Sequence, residues 1–249
     1  MKFAVISDIH EDIVNLEKSF RMIDKANCDK IVCLGDIVGF AKEYYKFKDT
    51  KDANKCVNII KQNCDIVVTG NHDLHAIKKM PSYFKQHNYP DNWFDLEFEE
   101  RAEISNYKAW FYKTEIDCNL VDENINYLMN LPEFYLEKTP NLNILFSHFI
   151  FPDITGSTNF FPSKKRHFIE HFDFMKSHNT SLSIVGHGHV QGFARVNENK
   201  RAFFNGFGNG ILKNINQIIF TSSIANSSRK SGLLIIDDSK MEFEVIELV

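Results

Sequence analysis

Phe3-Ala4-Val5-Ile6-Ser7-Asp8-Ile9-His10 opens the chain with an unbroken apolar run that ends on a carboxylate and an imidazole. Residues 3–7 have the continuous apolar character of a strand covered on both faces. The same arrangement recurs. A run at 30–34 ends at Gly35-Asp36, and one at 65–69 ends at Gly70-Asn71-His72-Asp73. Residues 143–147 lead to a lone His148, and 182–185 lead to Gly186-His187-Gly188-His189. Polar loops that each follow a short apolar run are what parallel strands deliver to one edge of a sheet, where α/β folds place ligands.

Between these runs the spacing turns helical. Ile13, Leu16, Phe20 and Ile23 share one face, and Cys56, Val57, Ile59 and Ile60 begin a second helix ending near residue 63. The first 70 residues therefore read βαβαβ, the order of a mostly parallel sheet. Residues 40–55 mix Lys, Tyr, Phe and Asp and read as a long loop on a substrate-facing rim. Residues 75–131 break the rhythm. Two helices are expected there, at 94–112 and 121–131, forming a cap or insertion. A hairpin follows at 134–138 and 143–147 around Pro140-Asn141, then a helix at 164–178. The final third reads as short antiparallel strands at 193–196, 201–204, 217–221, 233–236 and 243–248, with a turn at Asn197-Glu198-Asn199-Lys200. Asn205-Gly206-Phe207-Gly208-Asn209-Gly210 lacks the Lys-Ser/Thr of a phosphate-binding loop and reads as turn chemistry. With no repeat, low-complexity tract or linker, one domain over 1–249 is expected.

Bulk properties narrow the function. With 249 residues, 43% hydrophobic and 25% charged, the chain can bury a sizeable core. Its 23 Phe are read as packing. A net charge of −4 gives no broad field for nucleic acid, and Lys164-Lys165-Arg166-His167 reads as a solvated helix face. Cys28, Cys33, Cys56, Cys64 and Cys118 are odd in number and contain no C-x-x-C, which argues against a disulfide framework and a thiolate zinc site. The opening apolar run is too short for a signal peptide, and no run approaches the roughly 20 residues that span a bilayer. A cytoplasmic protein without a membrane partner is expected; nothing in the pattern assigns an oligomeric state.

Asp8, His10, Asp36, Asn71, His148, His187 and His189 are two carboxylates, four imidazoles and one carboxamide. Such donors suit borderline divalent metals, and the set lacks the all-oxygen character of a calcium site. Seven donors exceed one tetrahedral site. They match two metals sharing a bridging carboxylate, an arrangement that clamps both oxygens of phosphoryl transfer and acidifies a water. Each fragment alone is weak, since a Gly-Asn pair serves any turn. Their common order and common preceding strands carry the reading.

In that order the pieces, D-x-H, G-D, G-N-H-D, a lone His and G-H-x-H, resemble the calcineurin-like metallophosphoesterase superfamily over residues 1 to about 195. Ser7-Asp8-Ile9-His10, Gly35-Asp36-Ile37-Val38-Gly39 and Gly70-Asn71-His72-Asp73 are similar to its small bacterial phosphodiesterase-like branch. The resemblance implies an α/β fold, a β-sandwich of two mixed sheets flanked by helices (αββα). It implies two divalent metals, manganese first, with Fe, Zn, Ni, Co or Mg as alternatives. Asp8, His10 and His189 would hold one metal, Asn71, His148 and His187 the other, and Asp36 would bridge them. A bridging hydroxide would attack phosphorus in line, His72 would assist the leaving oxygen, and Asp73 would orient His72.

The chain also departs from that pattern. Glu11-Asp12 stand where the branch has Gly-Asn, and two carboxylates there would repel a dianionic monoester and favour a diester. Asp12 is equally well placed to cap the next helix. Phe149 follows His148 in place of Gly, Phe40-Ala41-Lys42 replaces Tyr-Gly-Pro, and Phe220-Thr221-Ser222-Ser223 stands where Asn-Pro-Gly-Ser is common. Val38-Gly39-Phe40 after Asp36 differs from the G-D-x-x-D-R-G of protein phosphatases. The expectation is a hydrolase acting on a small phosphoester or nucleotide, with a phosphodiester first. A dinucleoside polyphosphate pyrophosphohydrolase, a phosphomonoesterase and a non-catalytic metal-binding scaffold are the alternatives. His75, His87, His167, His171 and His178 carry no ligand pattern.

Overall fold

In the computed structural model, which describes residues 1–83, 89–198, 201–203 and 206–249, the opening run is strand β1 (Lys2–Ile6). Its alternation sorts two cores. Phe3 and Val5 point between two sheets, while Ala4 and Ile6 point to a layer of helices, because successive strand side chains face opposite ways. Along the chain follow α1 (Ile13–Ala26), β2 (Lys30–Cys33), β3 (Phe40–Ala41), α2 (Ala53–Asn63), β4 (Ile66–Val67), α3 (Asn71–Ala76) and α4 (Phe98–Ile104). Then come β5 (Glu115–Ile116), α5 (Asp122–Met129), β6 (Phe134–Lys138), β7 (Asn143–Ser147), α6 (Ile169–Ser177), β8 (Leu182–Val185) and β9 (Ala194–Asn197). The tail is β10 (Arg201–Phe203), β11 (Gly208–Ile211), β12 (Gln217–Phe220), β13 (Gly232–Asp237) and β14 (Glu242–Glu247).

One sheet runs β11-β14-β13-β1-β2-β4 and the other β10-β9-β12-β8-β7-β6. Both are mixed. In the first, β1, β2 and β4 are parallel, and the tail strands β13, β14 and β11 add antiparallel. In the second, β8 lies parallel to β7 and β12, with β6 and β9 antiparallel at their flanks. Phe3, Val5 and Leu34 of the first sheet meet Phe146, Ile184 and Ile219 of the second. Each such fully buried side chain is worth about 1.5–3 kcal/mol. α1, α2 and α5 cover the outer face of the first sheet through Leu16, Val57 and Leu128. α6 covers that of the second through Phe172 and Met175. The result is the αββα sandwich that the resemblance implies. Among the described residues, no helix is long and apolar enough to cross a membrane.

Four readings change. The expected helix at 94–112 is helical only at α4, with a single 3-10 turn at Trp93–Asp95 before it. The Ser105 hydroxyl donates back to the Arg101 and Ala102 carbonyls, and Asn106 and Tyr107 turn left-handed. Residues 108–110 then pair with 157–159, so a long-range ladder takes the backbone that a helix would have used. α5 joins the helical layer under the first sheet rather than a separate cap. The expected helix at 164–178 begins as a 3-10 turn, Lys165–Phe168, before α6. The glycine-rich 205–210 segment contributes strand β11 instead of a turn alone. A Cβ on Gly210 would lie 2.3 Å from the Phe243 ring, so glycine lets this edge strand lie flat on β14. Asn199 and Lys200 of the expected turn, Phe204, Asn205 and His87 lie outside the described residues.

Candidate metal centre

The donors do not line one sheet edge, as the spacing led one to expect; they collect where the ends of both sheets meet. β1, β2 and β4 deliver Asp8, Asp36 and Asn71, and β7 and β8 deliver His148 and His187. Within each sheet, backbone bonds hold the neighbouring strand ends together, Asp8 N to Gly35 O at 3.0 Å in the first and Gly186 N to His148 O at 2.9 Å in the second. The His187 amide donates to both Asp8 carboxylate oxygens, at 3.2 and 3.0 Å, which ties a carboxylate of one sheet to the other's loop. Asp8, His10, Asp36, His187 and His189 all sit at positive φ, between 43° and 57°. Non-glycine residues there cost roughly 1–2 kcal/mol each, and such strain gathers at functional sites.

Three groups of donors result. Asp8, His10 and His189 converge, as do Asp36, His148 and His187. His189 Nε2 lies 3.2 Å from Asp8 Oδ1 and 3.3 Å from His10 Nε2. His148 Nε2 lies 3.1 Å from Asp36 Oδ2 and 3.2 Å from His187 Nδ1. Asp36 Oδ2 also stands 3.8 Å from His10 Nε2, so this carboxylate faces both groups. His10, Asp36 and His72 form the third.

The chain's other contacts prepare these atoms for a cation. His10 Nδ1 donates to Gly39 O at 2.9 Å and His148 Nδ1 to Leu34 O at 2.8 Å. Such bonds set the tautomer and turn Nε2 inward. Asn71 is oriented by Tyr112: its Nδ2 donates to the Tyr112 hydroxyl at 3.3 Å, which in turn donates to Asn71 O at 3.1 Å. Asn71 Oδ1 is left buried with no hydrogen-bond partner among the described residues. An orphaned buried acceptor is costly, and a divalent metal beside four imidazoles and two carboxylates would satisfy it. The residues fit such an ion.

Electrostatics divide the imidazoles. Burial lowers His10 and His187 to about 3, holding both imidazoles neutral. Burial also opposes charge on His148, yet Asp36 raises it to about 9. Burial likewise raises Asp8 and Asp36, but His189 and His148 hold Asp8, and His148 and His72 hold Asp36, well below the usual carboxylate range.

His72 and Asp73 are placed differently from expectation. Asp73 does not orient the His72 ring. Its carboxylate accepts from the amides of Asp36, Ile37, Val38 and Gly70 at 2.8–3.2 Å, shaping the loop that presents Asp36. The carboxylate on His72 Nδ1 is Glu115 Oε2, at 2.5 Å. Glu115 arrives on β5, which pairs with β3 so that Ala41 faces Glu115. Burial lowers the His72 pKa, but Glu115 and then Asp36 raise it to about 9. Gly39, at φ 95°, lets the ring fit, because a Cβ there would lie 2.5 Å from His72 Cβ. Glu115 went unseen in the sequence because a two-residue strand carries no periodicity.

Glu11 and Asp12 do not face the site either. Asp12 caps α1, accepting from Asn15 N at 3.0 Å. Glu11 is fully buried, accepting from the Gly39 and Phe40 amides and pairing with Lys51 Nζ at 2.5 Å. The repulsion expected against a monoester is therefore neutralised. Beside the donors opens a cleft of about 820 Å³. The 40–55 segment contributes Tyr44, Tyr45 and Phe47 to its rim, Trp110 and Phe161 form another wall, and Arg229 stands at the mouth.

A family model described as calcineurin-like phosphoesterase matches residues 1–191. An uncharacterized protein of Methanocaldococcus jannaschii is 29% identical over 162 residues, 60% of this chain; the match spans 54% of that relative, about half its length. Among solved structures, a metallophosphoesterase from Sphaerobacter thermophilus superposes with a TM-score of 0.67 at 19% identity, covering 99% of this chain and 87% of that one. A hypothetical protein from Pyrococcus horikoshii OT3 superposes at 0.61 and 15% identity, covering 99% and 87%. At these identities the two structures share the fold.

Proposed function

The chain belongs to the calcineurin-like phosphoesterase family, and from that premise we propose that it is a metal-dependent phosphoesterase acting on phosphodiesters. The observation that carries this reading is Asp36, whose Oδ2 stands 3.1 Å from His148 Nε2 and 3.8 Å from His10 Nε2, facing two separate donor groups. Asp8, His10 and His189 would hold one divalent ion and Asn71, His148 and His187 a second, with Asp36 facing both. Such ions, manganese first, would supply positive charge to the phosphoryl oxygens and lower the pKa of a water for in-line attack.

The remaining steps belong to the chain. His72, backed by the Glu115 carboxylate, holds a proton for the leaving oxygen. Asp73 fixes the 36–38 turn. Tyr112 holds the Asn71 amide in its one useful orientation. Support for a diester now comes from the cleft, whose aromatic walls accommodate an organic group on either side of phosphorus, and no longer from Glu11 and Asp12. Arg229 and Lys46 on the rim favour a second reading, a dinucleoside polyphosphate pyrophosphohydrolase, in which they would meet a further phosphate. A non-catalytic scaffold is disfavoured because all seven donors and His72 are retained. We take 1–249 as one metallophosphoesterase domain, with 75–131 shaping its pocket, working in the cytoplasm.

The test is turnover of bis-p-nitrophenyl phosphate and p-nitrophenyl phosphate with added manganese. The diester is expected to be the better substrate. Folded protein that turns over neither ester with any of several divalent metals contradicts the enzymatic reading.

A further inference from the structure

Trp110 and Phe161 stand beside the metal centre without being needed to hold it. Phe161 stacks on His187, ring centroids 5.2 Å apart and planes within 7°, yet is 46% exposed. Trp110 lies 6.3 Å from Phe161, 6.0 Å from His187 and 6.3 Å from His72. An exposed aromatic face at a polar site is costly in water unless a ligand covers it.

This wall is rigidly built. Ala109 pairs with Thr158, Trp110 N donates to Ser157 O at 2.9 Å, and Asn159 N donates to Lys108 O at 2.9 Å. Behind the pairing, buried Asp153 accepts from the Ser157 and Thr158 amides at 2.8 Å each and from the Thr158 hydroxyl at 2.6 Å. Main-chain pairing and a buried carboxylate thus fix the backbone at Trp110 and at 157–159, from which Phe161 follows two residues on, the preorganisation a recognition surface requires. Across the cleft, Arg229 anchors one guanidinium nitrogen on the Gly188 and His189 carbonyls, at 3.1 and 2.6 Å, leaving its other donors for an anion or a sugar hydroxyl.

Building on the phosphodiesterase reading, we propose that Trp110 and Phe161 form a subsite for a flat ring carried by an alcohol esterified to phosphorus, a nucleoside in the first instance. The ring covers the aromatic wall while phosphorus sits over Asp36. Stacking of a base on an aromatic side chain is sequence-tolerant, so the subsite selects for a planar group and not for one base.

Three diesters sharing the p-nitrophenyl leaving group test this on the manganese-loaded enzyme: the methyl, phenyl and thymidine 5′ esters of p-nitrophenyl phosphate. The thymidine ester is expected to exceed the methyl ester in kcat/KM by about tenfold or more. Phe161→Ala, at a half-exposed position, should cut that ratio at least fivefold, chiefly through KM, and Trp110→Leu should do the same. A matching gain by the phenyl ester assigns the subsite to any flat ring, and a gain by the thymidine ester alone assigns it to a nucleoside; both support the proposal. Equal turnover of all three esters, or a ratio unchanged in both variants, overturns the subsite while leaving the phosphodiesterase reading intact. No turnover of any ester overturns the reading on which it rests.

Discussion

His72 Nδ1 lies 2.5 Å from Glu115 Oε2, across 43 residues of sequence and inside a pocket that leaves each side chain less than a tenth exposed. The contact makes the imidazole depend on a carboxylate supplied by a two-residue strand. His72→Ala is expected to lower kcat 10²–10⁴-fold, the usual range for a general acid. The loss should be larger for an alkyl than for a p-nitrophenyl leaving group, which needs no proton. Glu115→Gln should lower kcat about 10–100-fold while metal content stays that of wild type. Steady-state kinetics with both leaving groups check this, and full activity in His72→Ala contradicts it.

Tyr112 touches no expected ligand atom except through Asn71. Removing its hydroxyl frees the Asn71 amide to rotate, so that Nδ2 can take the place of Oδ1. Tyr112→Phe should weaken the binding of one of two metal equivalents by about 10–100-fold. Isothermal titration with manganese measures it, and two unchanged binding events would show that Tyr112 plays no positioning part.

Glu11 is fully buried and Lys51 only 18% exposed, so their ion pair has little water to fall back on. Lys51→Met strands the carboxylate and should cost about 3–5 kcal/mol. Lys51→Met with Glu11→Gln should recover most of that, since neither charge then remains. Urea unfolding of the two variants provides the comparison.

His171 supplies a pH dependence away from the metals. Its Nε2 lies 2.9 Å from Ser183 Oγ, its Nδ1 accepts from Phe151 N at 2.9 Å, and burial lowers its pKa to about 3. Below pH 6.5 the unfolded chain binds a proton that the folded chain refuses. Stability is therefore full above 6.5 and declines by about 1.4 kcal/mol per unit as pH falls toward 3. Between pH 7.5 and 5.5, His171→Gln should lose about 1.4 kcal/mol less than wild type in urea unfolding. Equal losses would mean that His171 is not buried as the neutral form.

The strands and the donors were legible because each donor group follows an apolar run, and a run of Val, Ile and Phe before Asp8 or His187 needs no tertiary information. Capping by Asp12 was legible for the same local reason. What the sequence hid depends on contacts distant along the chain. The helical spacing at 94–112 yields beyond Ser105 to pairing with 157–159. Gly210 becomes a strand residue because Phe243 lies across it. Asp73 is adjacent to His72, but its carboxylate turns to four amides, while Glu115 reaches the ring from a strand too short to show a period.

Metal analysis of manganese-loaded wild type and Asp36→Asn, read alongside bis-p-nitrophenyl phosphate turnover, tests most directly whether Asp36 serves two metal ions at once. Wild type should carry two equivalents and hydrolyse the diester, and Asp36→Asn, still folded by circular dichroism, should lose metal from both sites and nearly all turnover. Retention of two equivalents and of activity in Asp36→Asn would contradict the account.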